Sequence, residues 1–404
     1  MTSREVAVVG AGVVGVATAY VLARAGHRVT LIDARNAPGE GVSMGNAAQL
    51  SWAYGDAMSS PSMLRHLPAI SLGRDPAFKV QWQLDLDFLI WGLRFVLNGS
   101  EAKWWANTAA ALALADKSRR EFDALRAEVD LPFSYSAAGK LHLYPTREGF
   151  EAARSTVDRK VALGIVQHMI DREAATRIEP GLAGYSGDIA GVIHTPGDVV
   201  GDANAFCRAL TDYIVRQYGV TTLFGRTVSG ITQRAGKVAA VRFLDRPELA
   251  VDTIVAATAS SRSLLNVLPE ARSVRPVRGY SLTVQRPDRA PRVSVTDVKR
   301  KLAFASIGDR FRVAGLADIA APGSGFDDRR FDALLAATES VFPGLFTSTP
   351  EVMRWSGERP MTPSSLPIIG PSKRIDGLFV NIGHGGLGWT LSLGSGRQIA
   401  DLLA

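Results

Sequence analysis

The order of apolar and polar positions changes period several times along this chain, and each change marks an element. Residues 5–9, Glu-Val-Ala-Val-Val, form a short apolar run stopped by a glycine, the pattern of a strand buried on both faces. A glycine-rich turn over residues 10–15 leads into an apolar stretch to about Arg24, which predicts a helix with Gly26 at its C-cap. Residues 28–32 predict a second strand, with Asp33 at its end. Between about 39 and 62, Gly, Ser, Asn and Pro dominate, the composition of a functional loop.

Residues 80–130 predict helix: Trp82, Phe88, Trp91 and Phe95 form an apolar stripe, and 101–128 mixes Ala and Leu with charge. Strands are predicted at 140–144 and 191–195, a helix opened by Thr146 runs to about 163, and another spans 202–218. Short strands follow near 221–224, 237–243 and 251–256, then a β-rich region over 276–316 and a helix over 330–341. The tail returns to strand (378–382), glycine cluster and helix (387–403). With nucleotide-type strand–turn–helix units at both ends, the chain predicts one lobe closed by its termini, residues 1–55, 145–270 and 350–404. A second lobe, 56–144 and 271–349, is inserted within it.

Composition sharpens this picture. With 404 residues, 46% hydrophobic and 21% charged, the chain fits a folded protein of two lobes, not a disordered or fibrous one. A single cysteine, Cys207, excludes an intramolecular disulfide framework and a cysteine-cluster metal site, and no two-histidine metal spacing is present. The formal charge of +7 is spread along the chain, without the motifs of nucleic-acid binding. No secretory signal precedes the glycine turn, which leads us to expect a cytoplasmic protein. The longest apolar run, 88–97, is interrupted by Arg94 and falls short of the roughly 18 to 20 residues a spanning helix needs. Four of the seven tryptophans (Trp82, Trp91, Trp104, Trp105) cluster near it, a pattern that fits either helix packing or the lipid interface. A peripheral contact with the inner face of the membrane therefore stays open.

The chemistry begins at Gly10-x-Gly12-x-x-Gly15. These glycines suit a tight turn, close approach of a pyrophosphate, and close helix–strand packing, with the amides of Val13 and Val14 at the helix start. Asp33, followed by Ala34 and Arg35, stands 18 residues past Gly15, the placement of a ribose-binding acid. The same motif serves NAD and FAD. A nicotinamide enzyme normally continues with regular strand–helix units, whereas this chain continues into the polar loop Ser43, Asn46, Ala47, Ala48, Gln49. A second cluster, Gly385, Gly386, Leu387, Gly388, Trp389, Thr390, opens the last helix and suits the pyrimidine end of a flavin, where negative charge accumulates on reduction. FAD is therefore favoured over NAD. Arg359 offers a planar fork for a carboxylate, although Glu358 beside it leaves an ion-paired arginine open. His384 is the one histidine inside a cofactor-like loop.

Together with SMGNAAQLS, HTPGDVVGDANAF, ERPMTPSSLPIIG and NIGHGGLGWTLSLGSG, the N-terminal block resembles the FAD-dependent D-amino-acid oxidase superfamily. Within it, the glycine oxidase-like bacterial D-amino-acid dehydrogenase (small-subunit) type is the nearest pattern. The resemblance implies α/β plus α+β architecture: a Rossmann-like FAD-binding domain built from discontinuous segments and a substrate domain with an antiparallel sheet. It implies oxidative deamination of a D-amino acid, with hydride transfer to FAD and electrons passed to a quinone or another carrier. A hydrogen-peroxide-forming oxidase and a dehydrogenase of D-hydroxyproline or another secondary amino acid are the alternatives. Arg359 takes the family's carboxylate-binding place, and Val228 the place whose backbone meets adenine. Two departures stand out: residues 256–261 lack the family's glycine and aromatic, and Phe304 replaces a substrate-facing tyrosine. Tyr54 and Tyr280 are the substitutes we expect for that hydroxyl, and His384 completes the expected catalytic set.

Overall fold

The computed structural model describes residues 3–258, 268–319, 325–348 and 351–404; part of the departing stretch at 256–261 lies outside them. Two large sheets organise the described residues. The first has six strands in the order Ile368–Pro371, Leu378–Ile382, Thr253–Ala256, Glu5–Val9, Arg28–Ile32, Thr221–Leu223, all parallel except the first. The first strand of the chain is thus central, and its two-residue period divides its side chains. Val6 and Val8 face a helical layer, whereas Ala7 and Val9 face the small sheet formed by Val228–Arg234, Lys237–Phe243 and Leu249–Ala250.

The helical layer joins the two ends of the chain. Helix Gly388–Leu403 packs on Val13–Arg24 and on Glu101–Glu128. Glycines set both distances: a methyl group on Gly396 would meet the Thr18 backbone at 3.0 Å, and one on Gly394 would meet the Leu114 carbonyl at 2.7 Å.

The second sheet has nine strands. Its path runs Met353–Met361, Arg275–Gln285, Arg310–Ile319, Leu302–Ile307, Ser294–Asp297, Lys140–Tyr144, Gly191–Thr195, His168–Ile170, with Phe78–Val80 added beside Arg310–Ile319. Most pairings are antiparallel; Ser294–Asp297 with Lys140–Tyr144 and Arg310–Ile319 with Phe78–Val80 are parallel. One face carries the core of Tyr280, Leu282, Phe304, Phe311 and Phe331. The other face carries the site.

The lobe limits differ from the expected ones. Strands His168–Ile170 and Gly191–Thr195, placed by sequence in the nucleotide lobe, pair with Lys140–Tyr144 in the nine-stranded sheet. Helix Glu101–Glu128, placed by sequence in the other lobe, packs on the last helix. Antiparallel register explains the first difference: Leu141, Leu143 and Val192 share the buried face of that sheet. Helix Pro61–Ser71, capped by the Ser60 side chain, lies partly in the stretch read as loop.

Close helix contact through glycine makes a sharp prediction. Gly394→Val places branched carbons against backbone that cannot yield, and we expect it to destabilise the protein by about 2–3 kcal/mol. Thermal unfolding of the variant beside the parent checks this.

Candidate active site

At the nucleotide end, Gly10 adopts φ +111° and its amide donates to the Ile32 carbonyl at 2.7 Å. A methyl on Gly15 would lie 1.6 Å from the Gly10 carbonyl oxygen, so only glycine permits this approach. Gly12, by contrast, borders open space, with only Ser43 Oγ 3.7 Å from where a methyl would sit. Asp33 accepts the Ala11 amide at 2.7 Å through one carboxylate oxygen and the Arg35 amide at 2.8 Å through the other. Each oxygen retains a lone pair for a further donor. The turn before Val228 is tied to the same place, because the Gly225 amide donates to the Arg35 carbonyl and the Arg226 amide to that of Asp33. Ala34 links these two anchors.

Six helices among the described residues begin with a side-chain cap from Ser60, Asp85, Thr146, Asp171, Asp202 or Asp327. The helices starting at Val13 and Gly388 have none, and neither carries an acid in its first turn. Apart from the Val13 amide, their N-terminal donors and dipoles are left for a ligand. Ser43 Oγ takes the Val13 amide at 3.1 Å; Val14 lies beside Gly388, 4.0 Å from where a methyl there would sit. Gly385–Leu387, including Gly386, form a single tight turn ahead of the last helix. Trp389 is buried against Phe133 and Phe206, so it contributes backbone and not its ring.

Between these helix starts, residues 45–51 cross the site face of the nine-stranded sheet. Gly45 meets the Trp355 ring so closely that a methyl would lie 2.1 Å from it. The Asn46 carbonyl accepts from Arg312 at 2.9 Å, and its side chain accepts the Ala48 amide at 2.9 Å, which holds Ala48 at φ +60°. Ala47 lies between them, and Gln49 donates to Ser294 at 2.6 Å. Ser51 accepts from Lys140 Nζ at 3.0 Å, while its amide donates to Thr390 Oγ1 at 3.1 Å. Burial pushes Arg312 down to about 10, against the pull of Asp202.

Arg359 points to this face. The space of a side chain at Gly279 is filled by its guanidinium, and Gly386 lies near its Cδ. Its Nη1 donates to the Leu316 carbonyl at 3.4 Å, a carbonyl presented by backbone at φ +58°. No carboxylate pairs with it among the described residues. Glu358 binds Arg278 at 2.7 Å instead, which removes the ion-paired alternative. Burial lowers the guanidinium below its ordinary value, partly offset by Asp318.

Four residues singled out by sequence fall elsewhere. Tyr280 pairs with Ser356 and Gly279 with Gly357, so Tyr280 and Arg359 project from opposite faces of the sheet. The Tyr280 hydroxyl donates to Asp318 at 2.8 Å, and burial with that bond pushes it up to about 12. Phe304, one residue out of step with Ala305 on the site face, packs against Phe311 and Phe342 in the core. His384 is buried and shares a hydrogen bond with Ser395 at 3.1 Å; Ser395 donates to the Ser392 carbonyl, so His384 Nε2 is the donor. Burial holds its imidazole down to about 3, neutral at physiological pH. Tyr54 lies over Lys140–Tyr144, a strand five steps from that of Arg359. Sequence reasoning missed Arg312, Trp355, Lys140 and Ser294; the one signal was polar residues at alternate positions of otherwise apolar strands.

Two uncapped helix starts, glycine cradles at both ends and a polar strip between them fit an elongated dinucleotide, held across the joint of two lobes. This defines a two-lobed flavoprotein oxidoreductase. The chain belongs to the FAD dependent oxidoreductase family (DAO), whose model matches residues 5–402. It is 38% identical to D-amino acid dehydrogenase 2 of Ralstonia nicotianae, covering 99% of this chain and 96% of that one. It is 37% identical to D-amino acid dehydrogenase of Xanthobacter autotrophicus, covering 99% and 95%. Among solved structures it resembles glycine oxidase from Bacillus cereus (TM-score 0.75, 20% identity, covering 99% and 95%) and L-proline dehydrogenase from P. horikoshii (TM-score 0.73, 17% identity, covering 100% and 93%). The cofactor is FAD and the expected fold class holds.

His384 makes a pH prediction. Its folded value lies below its ordinary 6.5, so its contribution is complete above that pH and is lost as pH falls towards 3. We expect it to cost about 2 kcal/mol of stability between pH 7 and pH 5. Denaturant titrations at both pH values should show this loss reduced by that amount in His384→Gln.

Proposed function

We propose that this chain oxidises D-amino acids and passes the electrons to a membrane quinone. The observation that carries the substrate reading is Arg359: a desolvated guanidinium without a carboxylate partner among the described residues, on the sheet face crossed by the cofactor loop. It would bind the substrate carboxylate through its fork, with Gly279 making room for the guanidinium itself and Gly386 leaving space beside its stem. FAD supplies the hydride acceptor when bound. The protein supplies orientation and exclusion of water around a neutral amine. His384 stays neutral and committed to Ser395, and Tyr280 is committed to Asp318; positioning, not a side-chain base, is the contribution of this site. The two D-amino acid dehydrogenases similar over nearly the full length favour the same substrate class. The residues proposed to hold FAD are Gly10 to Gly15, Asp33 to Arg35, Ser43 to Gln49, Val228 and Gly385 to Thr390.

Among the described residues no helix is long and apolar enough to cross a membrane. Helix Leu86–Asn98 nevertheless leaves Leu86, Leu89, Ile90, Leu93 and Leu97 exposed along one face, continued by Trp82 and Leu84. Trp91 and Phe95, the aromatics that suggested a lipid contact, are instead buried at 4% and 7% exposure against Val277 and Met361. The outward face belongs to the leucines. Exposed Arg65, Arg74, Arg94 and Lys103 lie on or near this helix in sequence, with Asp87 as an acid on it. An apolar helix face with basic neighbours suits an anionic bilayer surface.

Arg359→Leu should raise KM for the best substrate of an anaerobic D-amino-acid panel roughly 30- to 800-fold, the equivalent of about 2–4 kcal/mol for a charged fork. An unchanged KM rejects the assignment. For the surface, Leu89→Ser/Leu93→Ser should abolish flotation with phosphatidylglycerol vesicles. Equal flotation of parent and variant, or leucine-dependent dimerisation without flotation, rejects the lipid reading.

A further inference from the structure

A second group of buried charges occupies the other end of the site face. Lys140 is 3% exposed, forms no ion pair among the described residues, and donates to Ser51 Oγ. Its ammonium lies 4.8 Å from the centre of the Tyr54 ring, and Lys160, paired with Asp56 at 2.5 Å, lies 5.5 Å from it. His142 stacks on Tyr54 with centroids 4.8 Å apart and planes 28° apart. Among the described residues the His142 Nε2 has no partner, nor do Asp198 Oδ2 and Thr296 Oγ1, and Thr296 stands opposite His142 in the strand register.

Buried polar atoms without partners carry a desolvation cost that a ligand removes. The kind of ligand follows from the surroundings. Tyr54 is 43% exposed, which leaves part of its ring open to a planar partner. The Lys140 ammonium is a donor for an oxygen. Asp56 and Asp198 sit in the same group, which disfavours a second anion and favours a neutral carbonyl. A planar aromatic dione meets these conditions.

Its place in the fold connects the two features of the proposed function. Ser51, the partner of Lys140, also donates to Thr390 at the start of the last helix. In the other direction along the chain, Met58 packs with Trp91 and Phe95, and Ser59 donates to the Phe95 carbonyl beneath helix Leu86–Asn98. The segment bearing Tyr54 thus runs from the cofactor-facing helix start to the inner side of the leucine-faced helix.

We propose that Tyr54, Lys140 and His142 form the binding site of the quinone acceptor, at the opposite end of the sheet face from Arg359. This rests on the reading that electrons leave to a quinone. Reduction to the quinol takes two electrons and two protons. FAD, when bound and reduced, would supply both electrons and one proton; the Lys140 ammonium would supply the second proton and be replenished from solvent. Burial, with Lys160 nearby, brings Lys140 down to about 8 against the opposing pull of Asp198 and Asp56, so it is charged at neutral pH yet releases its proton readily. His142 is held neutral by burial and by the two lysines.

The test uses holoenzyme and a short-chain ubiquinone. Calorimetric titration of the oxidised protein should show Tyr54→Leu, a change at a part-exposed side chain, weakening quinone binding at least tenfold. After photoreduction, which needs no amino acid, reoxidation by the quinone should slow at least tenfold in Lys140→Met relative to reoxidation by ferricyanide. Unaltered binding in the first variant together with an unaltered rate ratio in the second overturns the site. A parent protein that neither binds the quinone nor is reoxidised by it overturns the quinone reading itself. Failure of D-amino acids to bleach the flavin, with quinone reoxidation intact, strikes only the substrate reading.

Discussion

The two-residue period of the nine-stranded sheet is the constraint on which this site depends. It sends Arg359, Arg312 and Lys140 to one face and Tyr280, Phe304 and Phe311 to the other. A slip of one residue would exchange them, burying three cations among aromatic rings and exposing those rings to the cofactor loop. Each cation is desolvated, and each is met chiefly by a neutral acceptor: the Leu316 carbonyl, the Asn46 carbonyl or the Ser51 hydroxyl. Such partners satisfy donors without cancelling charge. The face therefore keeps a positive potential, which suits the proposed binding of a carboxylate and the negative charge that reduction of a flavin would add.

The ends of the chain add to this potential. Helices starting at Val13 and Gly388 lie together, and neither has a cap from its own N-cap residue or a first-turn acid. Their contact is close because Gly396 meets the Thr18 backbone, and a larger residue there would force the axes apart. The glycines of the last helix thus serve geometry twice, once at its exposed start and once along its buried side. Between them, Asn381 bonds Thr18 and Ser395, and Ser395 bonds His384. His384 is part of this buried strut, which explains why a histidine in a cofactor-like loop has no free ring nitrogen directed at substrate through Nε2.

Much of the fold was legible because its signals are local. Strands 5–9, 28–32, 140–144, 191–195 and 378–382 occupy the residues their apolar runs predicted. Gly10, Gly15 and Asp33 act through neighbouring backbone, so spacing alone located their contacts. Facing was harder to read. Residues 275–285 and 310–319 are buried on both sides, and a shift in register between Arg278 and Tyr280 alters the phase across that pair. Periodicity cannot then say which side carries the chemistry. Lys140-Leu-His-Leu-Tyr144 shows the opposite trap: its alternation reads as a strand with one face in water, yet Lys140 and His142 are buried. In helix Leu86–Asn98 the aromatic residues took the core and the leucines took the surface, so of the two readings left open for the tryptophans, helix packing holds for Trp91.

The separation of Arg359 from Lys140 has a consequence for the two halves of a redox cycle. Five strand steps at about 4.8 Å each set their strands roughly 24 Å apart before twist. A small amino acid cannot span that distance, so the two cations cannot grip one substrate. An elongated dinucleotide lying between them can have different partners along its length. Substrate and acceptor then need not compete for one cavity, and water excluded from one end need not be excluded from the other. By surface exposure Tyr54 is open at 43% and Arg359 is half-buried, so each end of the face can be reached by a ligand of its own. The leucine face then orients the open end, because the segment carrying Tyr54 passes directly beneath that helix.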